Sequence, residues 1–128
     1  MDKWENRHVL VVDDEASIRF SLAAFLEEYD FLVTTAQSAE EALTLCETTH
    51  FAVAVVDLRL PGINGDQFII QAQERWPVMR FIIHTGSVDY QLSDVLQGLG
   101  MTKNQLFFKP LNDLHALVQG IEPLLEKA

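Results

Sequence analysis

The sequence predicts an α/β protein: a doubly wound, five-stranded parallel sheet in the order 2-1-3-4-5, flanked by five helices. Three observations carry this. Short, continuous apolar runs recur five times, as expected of strands buried on both faces. Each run is followed by a stretch whose apolar residues fall at helical spacing. The strict alternation of the two implies crossovers that place helices on both faces of one sheet.

Val9–Val12 is the first strand, stopped by Asp13 and Asp14. Ile18, Leu22, Phe25, Leu26 and Tyr29 form one stripe of the first helix. Phe31–Thr35 reads as the second strand. Ser38 with Glu41 forms a capping box that opens a helix carrying Ala39, Ala42, Leu43 and Cys46 on one face. Phe51–Val56 is the third strand and ends at Asp57. Leu60-Pro61-Gly62-Ile63-Asn64-Gly65 is a turn-rich loop. The third helix carries Phe68, Ile69, Ala72 and Trp76 and stops before Pro77. Phe81–Ile83, the fourth strand, leads to His84-Thr85-Gly86. Val88, Leu92, Val95, Leu96 and Leu99 repeat the helical stripe. Leu106–Phe108 is a short fifth strand ending at Lys109-Pro110, and Leu111, Leu114, Leu117, Val118, Ile121 and Leu125 line a last helix.

The 128 residues are 48% apolar and 22% charged, with no repeat or linker, so one domain over 1-128 is expected. Nineteen acids against nine Lys and Arg give a net charge of −10, which argues against direct binding to nucleic acid or an anionic membrane. The single cysteine, Cys46, reads as core, and it excludes an intramolecular disulfide or a cysteine-based zinc site. A reducing, cytoplasmic setting is expected, with no secretory signal and no apolar run long enough for a bilayer. His8, His50, His84 and His115 share no metal-ligand spacing, and each reads as a surface or packing residue.

In such a sheet, ligands bind outside the carboxyl ends of the strands, at the switch point between the first and third. The first strand brings Asp13 and Asp14 there, the third Asp57, the fourth Thr85 and the fifth Lys109. Singly, the acids read as a helix cap or a turn residue, Lys109 as a solvated lysine and Thr85 as a loop hydroxyl. Together they converge on one edge. Three clustered carboxylates repel one another and call for a hard divalent cation such as Mg²⁺. Beside that charge, Asp57 is a candidate nucleophile towards a phosphoryl group, with Lys109, Thr85 and loop amides as stabilisers.

These residues resemble the receiver domain of two-component response regulators, of the chemotaxis-regulator type with its flavodoxin-like fold. The resemblance rests on Val11-Val12-Asp13-Asp14-Glu15 with Ile18-Arg19, on Val56-Asp57-Leu58-Arg59-Leu60-Pro61-Gly62 with Gly65, on Thr85-Gly86, and on Lys109-Pro110. It implies that Asp57 is the phosphoacceptor, served by a histidine kinase or phosphotransfer protein. It implies that Asp14, Asp57 and the Arg59 backbone carbonyl ligate Mg²⁺ directly, with Asp13 acting through water. Lys109 would pair with the phosphoryl oxygens across a cis peptide to Pro110, and Thr85 would be the switch hydroxyl. A homodimer through the fourth helix, fifth strand and fifth helix is a further implication. Such a protein is a signalling switch that catalyses only its own phosphoryl transfer and autodephosphorylation.

Two departures stand out. Leu106 occupies the position where the family places its switch aromatic, and Gly98–Gln105 is longer than usual and lacks the Gly-Ala-x-Asp pattern. Arg59, Gly86, Ser87 and Leu106 are therefore read as modulating positions. The alternative reading is a pseudo-receiver, a constitutive interaction module with the fold but not the switch. An aspartyl-phosphate phosphatase would want a second acid two residues after the nucleophile, where Arg59 stands.

Overall fold

The computed structural model describes residues 7–125; Trp4, which precedes the first strand, lies outside them. Its elements are β1 (His8–Val12), α1 (Ala16–Glu28), β2 (Leu32–Ala36), α2 (Ala39–Cys46) and β3 (Val53–Val56). They continue with α3 (Gly65–Arg75), β4 (Arg80–Thr85), α4 (Asp94–Gly98), a 3-10 turn at Lys103–Gln105, β5 (Leu106–Phe108) and α5 (His115–Leu125). All strand pairs are parallel, in the order β2-β1-β3-β4-β5. This is the predicted doubly wound sheet.

Successive side chains along a strand point to opposite faces, so each inner strand feeds two cores. Leu10, Val12, Val56 and Ile83 pack with Phe68, Ile69 and Phe81 beneath α2, α3 and α4. Val9, Val11, Val55 and Ile82 pack with Leu22, Leu26, Leu117 and Ile121 beneath α1 and α5. The register sets Val12 against Val56 and Val56 against Ile83. The three strands therefore end nearly level, and the residues after them emerge along one rim. Each fully buried Leu, Ile or Phe contributes roughly 1.5–3 kcal/mol, and the strand ends beneath this rim, Val12, Val56 and Ile83, are fully buried.

The structure corrects three local expectations. The stripe from Val88 to Leu99 is not one helix: α4 covers only Asp94–Gly98, and Val88 is 71% exposed. The Ser93 hydroxyl accepts from the Leu96 N–H at 3.2 Å, and that cap fixes the helix start at Asp94 rather than at Val88, where the apolar spacing begins. Leu111 and Leu114 belong to the connection before α5, whose buried face is Leu117, Val118, Ile121 and Leu124. At the start of α2, Ser38 accepts from the Glu41 N–H at 3.1 Å, but the Glu41 carboxylate accepts from the N–H of Gln37 rather than Ser38. The reciprocal capping box occurs instead in the long segment before β5, between Thr102 and Gln105. Gln105 also donates to the Phe81 carbonyl at 2.8 Å and so ties that segment to β4.

Candidate functional site

At the C-terminal rim, Asp13, Asp14 and Asp57 each offer a carboxylate oxygen, all within 4.8 Å of one another. Asp13 and Asp57 are buried at 2% and 5% exposure, whereas Asp14 faces solvent. Such a set suits a cation that is partly held and partly hydrated, with two oxygen donors embedded in protein and one at the mouth. Neither acid of the Asp13-Asp14 pair caps α1. Its N-cap is Glu15, which makes no side-chain cap, and Asp13 Oδ1 accepts from the Glu15 N–H at 2.9 Å.

Lys109 reaches into this cluster from the end of β5. Its ammonium donates to Asp13 Oδ2 at 2.8 Å and lies 3.4 Å from Asp57 Oδ2 and 3.8 Å from Glu15 Oε1. Burial alone would lower the lysine pKa, but the hydrogen bond to Asp13 and the charges of Asp13, Asp57 and Glu15 outweigh it and hold Lys109 above its ordinary value. Asp57 is pushed above the ordinary carboxylate value, chiefly by burial and further by the Asp13 charge. Lys109 and the Arg59 N–H, which donates at 3.4 Å, oppose that rise. A carboxylate that is costly to ionise next to another acid is one that gains from added positive charge.

The remaining predicted residues fall around this centre. Thr85 is fully buried, and its hydroxyl accepts from the Ser87 N–H at 3.1 Å, so in this form it is engaged with its own loop. The Lys109 N–H donates to the Thr85 carbonyl at 2.7 Å, and the Lys109–Pro110 peptide is cis. Gly86 is open to solvent, with nothing near the position of a Cβ. The Arg59 side chain is exposed, Ser87 is half-buried, and half-buried Leu106 packs against the α3–α4 core beside Tyr90.

The loop from Asp57 to α3 is held by contacts that sequence reasoning missed. A Cβ on Gly65 would meet the Asp57 carbonyl oxygen and stand 2.7 Å from Leu58 Cα, so only glycine lets α3 start against the loop. From α2, Glu40 Oε2 accepts from the Ile63 N–H at 3.2 Å, and Gly62 turns beneath that carboxylate at φ 76°. Glu15 was also missed as an ion-pair partner of Lys109, although it directly follows the acidic pair. Its position in the first turn of chain after β1 was the available signal.

The family described as the response regulator receiver domain matches residues 9–122. The chain belongs to that family. Receiver domains of two-component systems are signalling switches rather than classical enzymes. The hydrogenase transcriptional regulatory protein HoxA of Cupriavidus necator is 37% identical over 91 residues, covering 71% of this chain and 18% of that protein. The response regulator GtcR of Aneurinibacillus migulanus is 27% identical over 123 residues, 96% of this chain and 49% of that one. The chain thus spans less than half the length of either relative.

Among solved structures, a CheY-like receiver domain protein from Methanospirillum hungatei aligns with a TM-score of 0.76 and 28% identity, covering 94% of this chain and 95% of that one. The beryllofluoride-activated NtrC4 receiver domain, described as a dimer, aligns with a TM-score of 0.80 and 30% identity over 94% of this chain and 98% of that one. TrrA from Thermotoga maritima, solved with Mg²⁺ and beryllofluoride, shares the fold with a TM-score of 0.79 at 24% identity, covering 92% of this chain and 98% of that one. Among the described residues, no helix is long and apolar enough to cross a membrane.

Proposed function

We propose that this receiver takes a phosphoryl group onto Asp57 from a histidine kinase or phosphotransfer protein, in a Mg²⁺-dependent reaction in the cytoplasm. The observation that carries the reading is the placement of Lys109, 2.8 Å from Asp13 and 3.4 Å from Asp57, inside a cluster of three carboxylates. A single ammonium does not balance those acids, and their donor set is entirely hard oxygen, which fits Mg²⁺. Asp14, Asp57 and the Arg59 carbonyl would hold the ion, with Asp13 acting through water. When bound, it would supply charge neutralisation for the transferring phosphoryl oxygens.

Asp57 Oδ forms the new O–P bond as the donor's N–P bond breaks, and the released imidazole takes a proton from solvent. Lys109 transfers its hydrogen bond from Asp13 to a phosphoryl oxygen. Thr85 gives up the Ser87 N–H and turns its hydroxyl to the same group, drawing the β4–α4 loop inwards. The phosphoryl group adds about −1.5 to −2 charge, which biases the loop between two arrangements. Exposed Val95, Leu99 and Phe108 on the α4–β5 side offer an apolar face for a second copy or an output partner. The −10 charge supports a readout through protein contact, with no direct binding of this domain to nucleic acid or membrane.

The test is incubation with Mg²⁺ and acetyl phosphate, or with beryllofluoride, followed by mass spectrometry and NMR. A mass gain and β4–α4 shifts that Asp57→Asn abolishes are expected. No modification and no Mg²⁺ response would instead favour the pseudo-receiver, the reading to which Leu106 and the short α4 point.

A further inference from the structure

The loop that follows Asp57 is pinned at its two ends. The Asp57 N–H donates to the Val12 carbonyl at 2.9 Å, and the Gly65 N–H donates to the Leu58 carbonyl at 2.9 Å. The middle of the loop has less to fix it. Arg59, Pro61 and Gly62 are exposed, and Gly62 stands in the left-handed region at φ 76°, which a glycine enters and leaves at no steric cost. Among the described residues, one side chain from outside the loop bonds to its backbone between Arg59 and Ile63. It belongs to Glu40, whose Oε2 accepts from the Ile63 N–H at 3.2 Å. The same carboxylate covers Gly62, where a Cβ would collide with Oε2.

Glu40 has a firm base. It lies in the first turn of α2, after the Ser38 cap, and its neighbours Ala39 and Ala42 are fully buried in the core. Its carboxylate therefore reaches the loop from a backbone that is itself well anchored. We infer that Glu40 is a positioning residue of the phosphoacceptor site: its carboxylate fixes the loop backbone after Asp57, and with it the direction of the Arg59 carbonyl. The benefit to a Mg²⁺ ion at that carbonyl rests on the proposed function, whereas the hold on the loop does not. Groups that orient a metal's ligands carry a measurable share of its affinity. Turning one peptide is enough to take a carbonyl out of reach.

The experiment is NMR of the isotope-labelled full chain, first in EDTA and then in a Mg²⁺ titration, for wild type, Glu40→Ala, Glu40→Gln and Glu41→Ala. Glu40 is exposed, so its replacement leaves the core intact. Glu41 is the control, an acid in the same turn of α2 whose carboxylate accepts from the Gln37 N–H at 2.9 Å and not from the loop. In EDTA, Glu40→Ala should shift the Arg59 and Ile63 amide resonances and speed hydrogen exchange at Ile63. With Mg²⁺, it should weaken binding about threefold to tenfold, the effect of losing a ligand-orienting hydrogen bond. Glu40→Gln keeps an acceptor oxygen and should stay within about twofold of wild type, as should Glu41→Ala. Arg59 and Ile63 amides that do not move in Glu40→Ala, or that move equally in Glu41→Ala, overturn the hold on the loop. Mg²⁺ affinity that is unchanged in Glu40→Ala, or that falls as far in Glu40→Gln, overturns the role at the site, since the second result traces the effect to charge. A wild type with no Mg²⁺ response, beside the expected spectra in EDTA, would count against the proposed function alone.

Discussion

The Lys109 ammonium is hydrogen-bonded to Asp13 at 2.8 Å and sits farther from Asp57, at 3.4 Å. In this form the lysine offsets the repulsion among the acids, and the predicted phosphoacceptor receives only part of its charge. The arrangement makes Lys109 a competitor of any divalent cation at the same carboxylates. Lys109→Ala should therefore lower metal-free stability by on the order of 3 kcal/mol, the cost of stranding a buried charge. The same variant should bind Mg²⁺ more tightly while losing its structural response to beryllofluoride. Urea denaturation with and without Mg²⁺ measures the first two effects, and NMR shifts at Thr85 and Ser87 measure the third.

Two groups give stability opposite slopes with pH. Burial, with the Asp13 charge, makes the folded chain hold the Asp57 proton to a higher pH than the unfolded chain does. Stability in the absence of metal should then fall as pH climbs from the ordinary carboxylate value through the raised one. Asp57→Asn should remove that fall. His84 behaves the other way, because burial and then Lys109 bring its pKa to about 4 from 6.5. Its contribution is fully present above the ordinary histidine value and is lost as pH drops towards 4, a change of about 3 kcal/mol. Denaturation midpoints from pH 3 to 8 in EDTA, for wild type, Asp57→Asn and His84→Phe, separate the two slopes.

Gly65→Ala should damage the site without touching a carboxylate. The new methyl would crowd Leu58 Cα at 2.7 Å and the Asp57 carbonyl, so either α3 or the loop must move. A loss of about 1–3 kcal/mol is expected, as for other overpacked positions, together with weaker Mg²⁺ binding. A variant of unchanged stability and unchanged Mg²⁺ affinity would show that the contact is not a constraint.

Arg59 lies two residues after Asp57 with its side chain in solvent, and only its backbone N–H is directed at the Asp57 carboxylate. If Arg59 modulates the proposed site, as the sequence reading expects, Arg59→Ala should leave the phosphorylated yield nearly unchanged and alter the lifetime of the phosphoprotein, through the access of water to an acyl phosphate on Asp57. Decay of the phosphorylated species after removal of acetyl phosphate is the measurement, and identical decay in the two proteins would exclude the role.

The strands and the site were legible in the sequence for the same reason. A strand buried on both faces reads as an unbroken apolar run, so the first polar residue after it marks the rim; Asp13, Asp57 and Lys109 stand there. The β4–α4 segment was not legible in this way. Apolar spacing from Val88 to Leu99 satisfies a helical period whether or not the chain is helical, and only the Ser93 cap and the turn bond from Tyr90 N–H to the Ser87 carbonyl decide against it. The Glu40 contact with the β3–α3 loop spans 23 positions and leaves no periodic trace.

By itself, then, the sequence determined the strand–helix order, the two-faced core and the set of acids delivered to one edge, since these follow from local periodicity and from a general rule of parallel sheets. Only the tertiary structure decided which carboxylate holds Lys109, how far α4 extends, and that the His84 ring is buried with neither nitrogen hydrogen-bonded. Those outcomes depend on distances between residues from different strands and helices. Charge and hydrogen-bonding partners change over a few ångströms, a scale that spacing along the chain does not encode.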